Sequence, residues 1–167
     1  MKILNLEVNV NKLNNTTSKI RKATVKDATQ IFSILQQFAL KGILLPRSLN
    51  GIYENIRDFF VYEENGKIVG IGSLHIFWED LAEIKSLAVL DEHQGKGIGK
   101  TIVEKCIEDA KNLGIKKVFA LTYVPEFFEK LGFKIVDKSL FPQKVWTECI
   151  HCVKFNDCKE IPVLLEI

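Results

Sequence analysis

The sequence has no marked excess of charge of either sign, since 23 lysine and arginine residues stand against 21 aspartate and glutamate residues. A net charge of +2 gives no reason to expect binding to nucleic acid or to a membrane surface. No apolar run approaches the length of a membrane span, and Asn5, Glu7 and Asn9 interrupt the apolar core that a signal peptide would need. We therefore expect a cytoplasmic protein whose four cysteines are reduced.

The chain also lacks internal repeats and low-complexity segments. Its 167 residues suffice for one domain with a single core, and 47% hydrophobic with 26% charged residues is ordinary for a globular protein. We expect an N-terminal extension over residues 1–18, with an edge strand at 3–10 and a linker rich in Asn and Thr. A single domain over residues 19–167 should follow.

Local patterns predict the order of elements in this domain. They predict a strand at 19–24, a helix that Asp27 caps and Gly42 ends, and a second helix that Ser48 caps. Asn65-Gly66 marks a hairpin between strands, and a third antiparallel strand ends at Leu90. The remaining predictions are an amphipathic helix ending at Gly114, a strand at 116–121, a short helix from Pro125, and strands at 133–136 and 162–165. This order predicts a mixed α/β fold with one central sheet flanked by helices.

A glycine-rich run, Gln94–Lys100, lies between a predicted strand and the amphipathic helix. Its three glycines allow a tight backbone turn that presents several N–H groups to one point, and the helix N-terminus adds partial positive charge. The run suits a phosphate or pyrophosphate. It is not a P-loop, which needs glycine at Gln94, and it is not a dinucleotide fingerprint, which needs glycine at Lys100 or Ile102.

The spacing Gln-x-x-Gly-x-Gly resembles the acyl-CoA pyrophosphate loop of the GNAT acetyltransferases. The segment Phe127–Phe133 resembles a turn that the same family has at its distal helix, and the resemblance covers about residues 19–150. It implies the GNAT fold, acetyl-CoA as co-substrate and no metal. It also implies a CoA site made by the backbone of Leu87, Ala88 and Val89 against the pantetheine arm and by Gln94, Gly95, Lys96, Gly97, Ile98, Gly99 and Lys100 against the pyrophosphate.

Three further segments resemble the short-form bacterial N-acetylglutamate synthases, namely residues 45–48, 74–84 and 118–123. They imply L-glutamate as the acceptor amine and a role in arginine biosynthesis. Another small amine or amino acid stays open as the acceptor, and so does a non-catalytic module that only binds CoA. Whether the chain forms a homodimer is also open.

Direct acyl transfer to an amine needs a base, because an ammonium group must lose a proton before it attacks the thioester. By the resemblance this base is Glu83, although a strand-end carboxylate paired with a lysine is the alternative. Many GNATs protonate the leaving thiolate with a tyrosine where this chain has Phe128, which has no proton to give. Tyr123 is then the candidate acid, with packing at the strand end as its alternative role.

Glutamate carries two carboxylates, so its pocket should contain basic residues, preferably an arginine that binds in a bidentate manner. Arg47 is the leading candidate, by resemblance to the synthases. Lys85 lies two residues after Glu83 and should point to the same face of the strand, where it could bind a carboxylate or pair with Glu83. Lys144 matches a basic position of the family's C-terminal segment.

Three cysteines near the C-terminus form the pattern Cys149-x-x-Cys152-x5-Cys158, with His151 close by in sequence. Such a pattern could hold zinc, but it lacks a second paired set of ligands, so we favour reduced, partly buried thiols. Cys106 is expected in the core, and His75 and His93 are expected to be structural or exposed.

Overall fold

A computed structural model of the protein describes residues 17–141 and 148–167. Within these residues seven strands form one sheet in the order β1-β2-β3-β4-β5-β7-β6. The pairing is antiparallel except between β4 and β5, which are parallel. The strands are Ser18–Lys22, Phe59–Glu64, Lys67–Ile76, Leu81–Val89, Lys117–Thr122, Lys134–Ile135 and Ile161–Glu166, numbered β1 to β7. The α-helices are Ala28–Leu40, Leu49–Glu54, Ile98–Asn112 and Pro125–Glu129, numbered α1 to α4.

Short-range signals place several of these elements as the sequence predicts. Ser48 accepts a hydrogen bond from the Gly51 N–H at 3.0 Å and so caps α2. The β2–β3 hairpin turns at Asn65 and Gly66, whose φ angles of 49° and 79° are those of a tight hairpin turn. Pro125 stands at the start of α4, where its missing N–H costs nothing.

Helices cover both faces of the sheet. Because alternate side chains of a strand point to opposite sides, β2 contributes to the core on each face. Phe59 and Val61 face the core under α1, whereas Phe60 faces the core under α3. The helix α3 packs so close to β3 that a Cβ added at Gly72 would lie 2.6 Å from a methyl carbon of Ile102. Ile102 is fully buried, and burial of such a side chain stabilises the fold by about 1.5–3 kcal/mol.

Asp27 has a different role from the predicted one. It stands at the first residue before α1, but its side chain makes no capping bond to that helix. Its carboxylate instead accepts hydrogen bonds from the guanidinium of Arg21, at 2.7 and 3.0 Å, and from the Thr24 N–H at 2.7 Å. The bonds to Arg21 lower the pKa of Asp27 to about 2. The prediction of a cap for α1 was wrong because the short 3-10 turn Val25–Asp27 precedes this helix and takes the carboxylate.

Two strand predictions need smaller corrections. The first strand ends at Lys22 rather than 24, and the strand predicted at 133–136 contracts to Lys134–Ile135 at the edge of the sheet. The strand predicted at 3–10 lies outside the described residues, as does most of the expected N-terminal extension.

The strands β4 and β5 separate partway along their length, and this separation opens a gap in the sheet. Their pairing covers three positions and ends at Glu83 opposite Phe119, although β4 continues to Val89 and β5 to Thr122. Beyond that point β4 also contains an irregularity against β3, where Ser86 has a φ of 54°. A positive φ is uncommon outside glycine and bends a strand locally. The bend leaves a gap between the two strands.

Candidate active site

A cavity of about 500 Å³ occupies the gap between β4 and β5. We call it the β4–β5 cavity. Its walls come from the loop between α1 and α2, from the second half of β4, from the end of β5, and from the segment 148–160. The charged side chains on these walls are Arg47, Glu83, Lys85, Lys138, Glu148 and Glu160. The sequence-predicted Glu83, Arg47, Lys85 and Tyr123 therefore line one cavity.

Glu83 is the acidic group on the β4 wall, and only 9% of its side chain is exposed. Burial raises the pKa of Glu83 from 4.5 to about 7, while the neighbouring Lys85 opposes this rise. A carboxylate with a pKa near neutrality is suited to accept a proton at the pH of a cell. Its predicted role as a base is thus chemically feasible and stays a prediction.

Lys85 lies on the same face of β4 as Glu83, as the strand periodicity predicts. Its ammonium nitrogen is 3.2 Å from a Glu83 oxygen and 2.7 Å from a Glu148 oxygen. It also lies 4.8 Å from the ring centroid of Phe77. Pairing with Glu83, one of the two predicted roles, is therefore present. Glu148 is a neighbour that the sequence analysis missed, because 63 residues separate it from Lys85.

Arg47 projects from the loop between α1 and α2 and is half-buried. Burial lowers the pKa of Arg47, and the carboxylates of Glu83, Asp58 and Glu148 act in the opposite direction. Its guanidinium carbon lies 5.6 Å from the ring centroid of Phe59. Among residues 17–141 and 148–167, no hydrogen bond or ion pair to Arg47 is found. A half-buried guanidinium without a carboxylate partner is well suited to bind an external anion.

Tyr123 follows β5 at the mouth of the β4–β5 cavity and is 41% exposed. The ammonium nitrogen of Lys154 lies 5.6 Å from its ring centroid. Phe128 is buried, and its ring packs edge-on against Phe133 with centroids 5.2 Å apart. Of the two aromatic side chains, only Tyr123 carries a hydroxyl that could donate a proton, so its role as an acid stays a prediction.

The residues Gln94–Lys100, here called the glycine turn, join the end of β4 to α3. Gly95 and Gly97 have φ angles of 75° and 81°, which glycine adopts without strain. The Gln94 amide donates a hydrogen bond to the Val89 carbonyl at 2.9 Å and so ties the turn to the strand. No other atom comes within 4 Å of a Cβ added at Gly95 or Gly97, so both positions are open.

The N-terminus of α3 presents backbone donors at this turn. The Thr101 N–H bonds back to the Gly97 carbonyl at 3.0 Å, and the N–H groups before it have no intrahelical acceptor. Lys96 and Lys100 are exposed on either side. Donors, helix dipole and two cations fit an anionic group such as the pyrophosphate of CoA.

The backbone of Leu87, Ala88 and Val89 lies between the gap and the glycine turn. Ala88 and Val89 pair with β3 on one side, whereas β5 pairs with β4 only as far as Glu83. The side of this segment that faces away from β3 is thus available to an extended ligand such as a pantetheine arm. The predicted CoA-binding residues thus follow Glu83 along the second half of β4 and continue in the glycine turn.

The three C-terminal cysteines are free thiols, and all of them border the β4–β5 cavity. A search of the described part of the chain finds no group of three or more Cys, His, Asp or Glu residues that could hold a metal. Cys106 is fully buried in the core, as predicted. The Nδ1 atom of His75 lies 2.7 Å from a carboxylate oxygen of Asp58, and the Nδ1 atom of His93 lies 2.9 Å from a carboxylate oxygen of Glu64. Lys144 lies outside the described residues.

A family model described as "Acetyltransferase (GNAT) family" matches residues 28–133. The chain therefore belongs to the GNAT acetyltransferase family. It is an N-acetyltransferase that uses acetyl-CoA, and the predictions of the fold, the enzyme class and the co-substrate are confirmed. These findings do not favour the non-catalytic alternative.

Two relatives and one solved structure show which acetyltransferases this chain is similar to. An uncharacterized N-acetyltransferase of Chlorobaculum tepidum is 41% identical over 87% of this chain and 94% of the relative. An amino-acid acetyltransferase of Mycobacterium tuberculosis is 36% identical over 77% of this chain and 75% of the relative. The N-acetylglutamate synthase from Neisseria gonorrhoeae, solved with coenzyme A and N-acetyl-glutamate, is 26% identical with a TM-score of 0.82. That match covers 90% of this chain but 35% of the Neisseria chain.

A search for membrane-spanning helices in the described ranges finds none that is long and apolar enough to cross a bilayer.

Proposed function

We propose that this acetyltransferase acetylates the α-amino group of L-glutamate. The observation that carries the proposal is Arg47, a half-buried guanidinium without a described partner in the same cavity as Glu83. A guanidinium in this setting favours an acceptor that brings its own carboxylate. The acceptor amine would then lie toward Glu83, whose pKa burial raises to about 7.

The proposed chemistry divides the work among a few groups of this chain. Acetyl-CoA supplies the acetyl group as a thioester. Glu83 takes the proton from the acceptor ammonium, directly or through a water, and so produces the nucleophilic amine. Backbone N–H groups of the segment 87–89 stabilise the charge on the thioester oxygen during attack, a type of contact worth about 2.7–4 kcal/mol. Tyr123 is the group that could return a proton to the leaving thiolate.

The relatives support this acceptor. One is named an amino-acid acetyltransferase, and the Neisseria synthase was solved with N-acetyl-glutamate. If the acceptor is glutamate, a place in arginine biosynthesis and in the cytoplasm follows as part of the same proposal. The homodimer also stays a prediction.

A second candidate is an amino acid with a single carboxylate. Lys85 is already engaged by Glu148 and Glu83, so we assign the acceptor carboxylate to Arg47, while Lys138 also lines the cavity. One such cation is enough for one carboxylate, whereas glutamate brings two. Glutamine differs from glutamate only in the second carboxylate and is therefore the most informative competitor.

The test compares acceptors in the purified protein. Formation of the acetylated product is followed by mass spectrometry for glutamate, glutamine and a panel of other amines. Loss of a charged partner costs on the order of 1–3 kcal/mol, so Arg47→Ala should raise the KM for glutamate by about ten- to a hundredfold and leave that for acetyl-CoA nearly unchanged. The matched control is Arg57→Ala, which removes an exposed arginine ten positions further along the chain.

The ratio of efficiencies for glutamate and glutamine then tells which carboxylate Arg47 binds. If the preference for glutamate falls in Arg47→Ala, then Arg47 binds the side-chain carboxylate. If the preference is unchanged while glutamate and glutamine both bind more weakly, then Arg47 binds the α-carboxylate. Turnover of glutamate no faster than that of the other amines would contradict the proposed acceptor and leave the family assignment intact.

A further inference from the structure

Two of the cysteines on the wall of the β4–β5 cavity stand in one tight turn. The Cys152 N–H donates a hydrogen bond to the Cys149 carbonyl at 3.0 Å. A bond from residue i+3 to residue i brings the two α-carbons within about 7 Å, and a disulfide spans α-carbons about 4.4–6.8 Å apart. These two thiols can therefore be bridged without a large change of the backbone. We call residues 149–152 the cysteine turn.

The environment of the cysteine turn differs from that of a structural cysteine. Cys149 and Cys152 are partly exposed, whereas Cys106 is fully buried in the core. The sulfur of Cys152 accepts the Lys154 N–H at 3.5 Å, a contact that stabilises negative charge as it develops on that sulfur. Burial and the nearby carboxylate of Glu83 raise the pKa of the Cys149 thiol. The contact from the Lys154 N–H therefore assigns the first attack to Cys152.

The cysteine turn is also tied to the acceptor end of the cavity on both sides. Glu148, the residue before Cys149, holds the ammonium of Lys85 at 2.7 Å. Lys154, two residues after Cys152, donates to the Gly42 carbonyl at 3.0 Å. Any change in the turn is therefore transmitted to Lys85, which pairs with Glu83, and to the loop that follows α1.

We propose that Cys149 and Cys152 form a reversible disulfide that alters turnover of the acceptor in the β4–β5 cavity. The inference rests on the proposed function, in that this cavity binds the acceptor. The oxidant is a disulfide of the glutathione class. The Cys152 thiolate attacks one sulfur of the oxidant and releases one thiol. Cys149 then loses its proton to water, attacks the sulfur of Cys152 and releases the second thiol, so that two electrons pass to the oxidant.

The bridge changes the acceptor end of the cavity and spares the CoA end. It turns the Cys149 side chain toward Cys152 and displaces Glu148, so that Lys85 loses one of its two carboxylates. Displacement of a positioning group by about 1 Å can cost up to a hundredfold in rate, and Lys85 contacts Glu83, so we expect kcat/KM for the acceptor to fall roughly ten- to a hundredfold. The glycine turn does not line this cavity, so acetyl-CoA affinity should not change.

The experiment equilibrates the 167-residue chain in glutathione buffers with a defined ratio of the oxidised to the reduced form. Free thiols are alkylated, and peptides are mapped by mass spectrometry. Acetylated product is also measured by mass spectrometry, because thiol reagents for CoA release would react with the cysteines. We expect a Cys149–Cys152 bridge that dithiothreitol reverses, with a lower kcat/KM for the acceptor in the oxidised form. Cys152→Ser should abolish the response, whereas the matched control Cys158→Ser should keep it.

Three results would overturn the inference. They are the absence of this bridge at every glutathione ratio, a bridge that joins Cys158 instead, and a bridge that leaves kcat/KM for the acceptor unchanged. The mapping requires no substrate, so its result is independent of whether glutamate is the acceptor. If another amine proves to be the acceptor, the kinetic comparison uses that amine. Failure of the proposed glutamate acceptor therefore remains distinguishable from failure of the proposed disulfide.

Discussion

Replacement of Glu83 by glutamine should change activity and stability in opposite directions. The variant Glu83→Gln keeps the size of the side chain and removes its basicity. Loss of a general base lowers the rate by about 10²–10⁴-fold, so we expect kcat to fall by that factor while acetyl-CoA affinity stays the same. In the wild type, kcat/KM should rise with pH through a midpoint near 7, because only the carboxylate form of Glu83 accepts a proton.

The effect on stability follows from the same pKa. Glu83 has a pKa of about 7 in the folded protein against 4.5 as its usual value. Between these two pH values the folded state keeps a proton that the unfolded state has lost, so stability falls as the pH rises. Each pKa unit is worth about 1.4 kcal/mol, so ionisation of Glu83 costs the folded protein about 3 kcal/mol above pH 7.

Glutamine carries no charge at any pH and avoids this cost. The free energy of unfolding of Glu83→Gln should therefore exceed that of the wild type by about 3 kcal/mol at pH 8, and the two should converge near pH 4.5. Urea unfolding at several pH values measures the difference. The matched control is Glu108→Gln, an exposed carboxylate on α3 that pairs with Lys105. A stability difference that does not grow between pH 5 and pH 8 would refute the assigned environment of Glu83, and wild-type turnover at all pH values would show that the proton leaves by another route.

Three further changes test other parts of the site. Gly97→Glu places a carboxylate at the N-terminus of α3 and should abolish acetyl-CoA binding in calorimetry. The control Gly114→Glu, at a glycine with a similar φ of 80° at the other end of α3, should keep acetyl-CoA binding. Unchanged affinity in Gly97→Glu would show that the glycine turn is not part of the CoA site. Lys85→Gln removes the cation that opposes the high pKa of Glu83, so the rising limb of kcat/KM should move to higher pH, and a limb that stays in place or moves down would contradict the electrostatic role of Lys85. Tyr123→Phe should lower kcat without weakening acetyl-CoA binding, and an unchanged kcat would leave protonation of the thiolate to water.

Sequence reasoning predicted features that depend on neighbours along the chain. Ser48 caps α2 and Asn65-Gly66 turns the hairpin because each signal involves residues no more than three positions apart. The glycine turn was likewise recognised from residues that are adjacent in the chain. Lys85 was placed beside Glu83 because alternate residues of a strand share a face, and this periodicity holds wherever a strand forms.

Features that depend on residues distant in the chain were missed. Glu148 reaches Lys85 across 63 positions, and no local pattern distinguishes it from another exposed glutamate. Asp27 was assigned as a cap because its spacing to α1 fits, yet Arg21 binds it with two hydrogen bonds. Two parallel bonds from an arginine to a carboxylate add energy and geometric specificity that a single capping bond lacks, so this tertiary contact overrides the local signal. The cavity wall formed by the three C-terminal cysteines is likewise a product of tertiary packing.

Under the proposed function, Glu83 and Arg47 would give the β4–β5 cavity a preference for an acceptor with charges of both signs. Burial raises the pKa of Glu83 and lowers that of Arg47, so each group is destabilised in its charged form by the same cause. An ammonium beside Glu83 stabilises the carboxylate, and a carboxylate beside Arg47 stabilises the guanidinium. An amino acid supplies both, whereas a simple amine supplies only the first and leaves the half-buried guanidinium without a partner. We therefore expect the binding of an amino acid to restore the ionised form of Glu83 at the moment when the amine is in place to lose its proton.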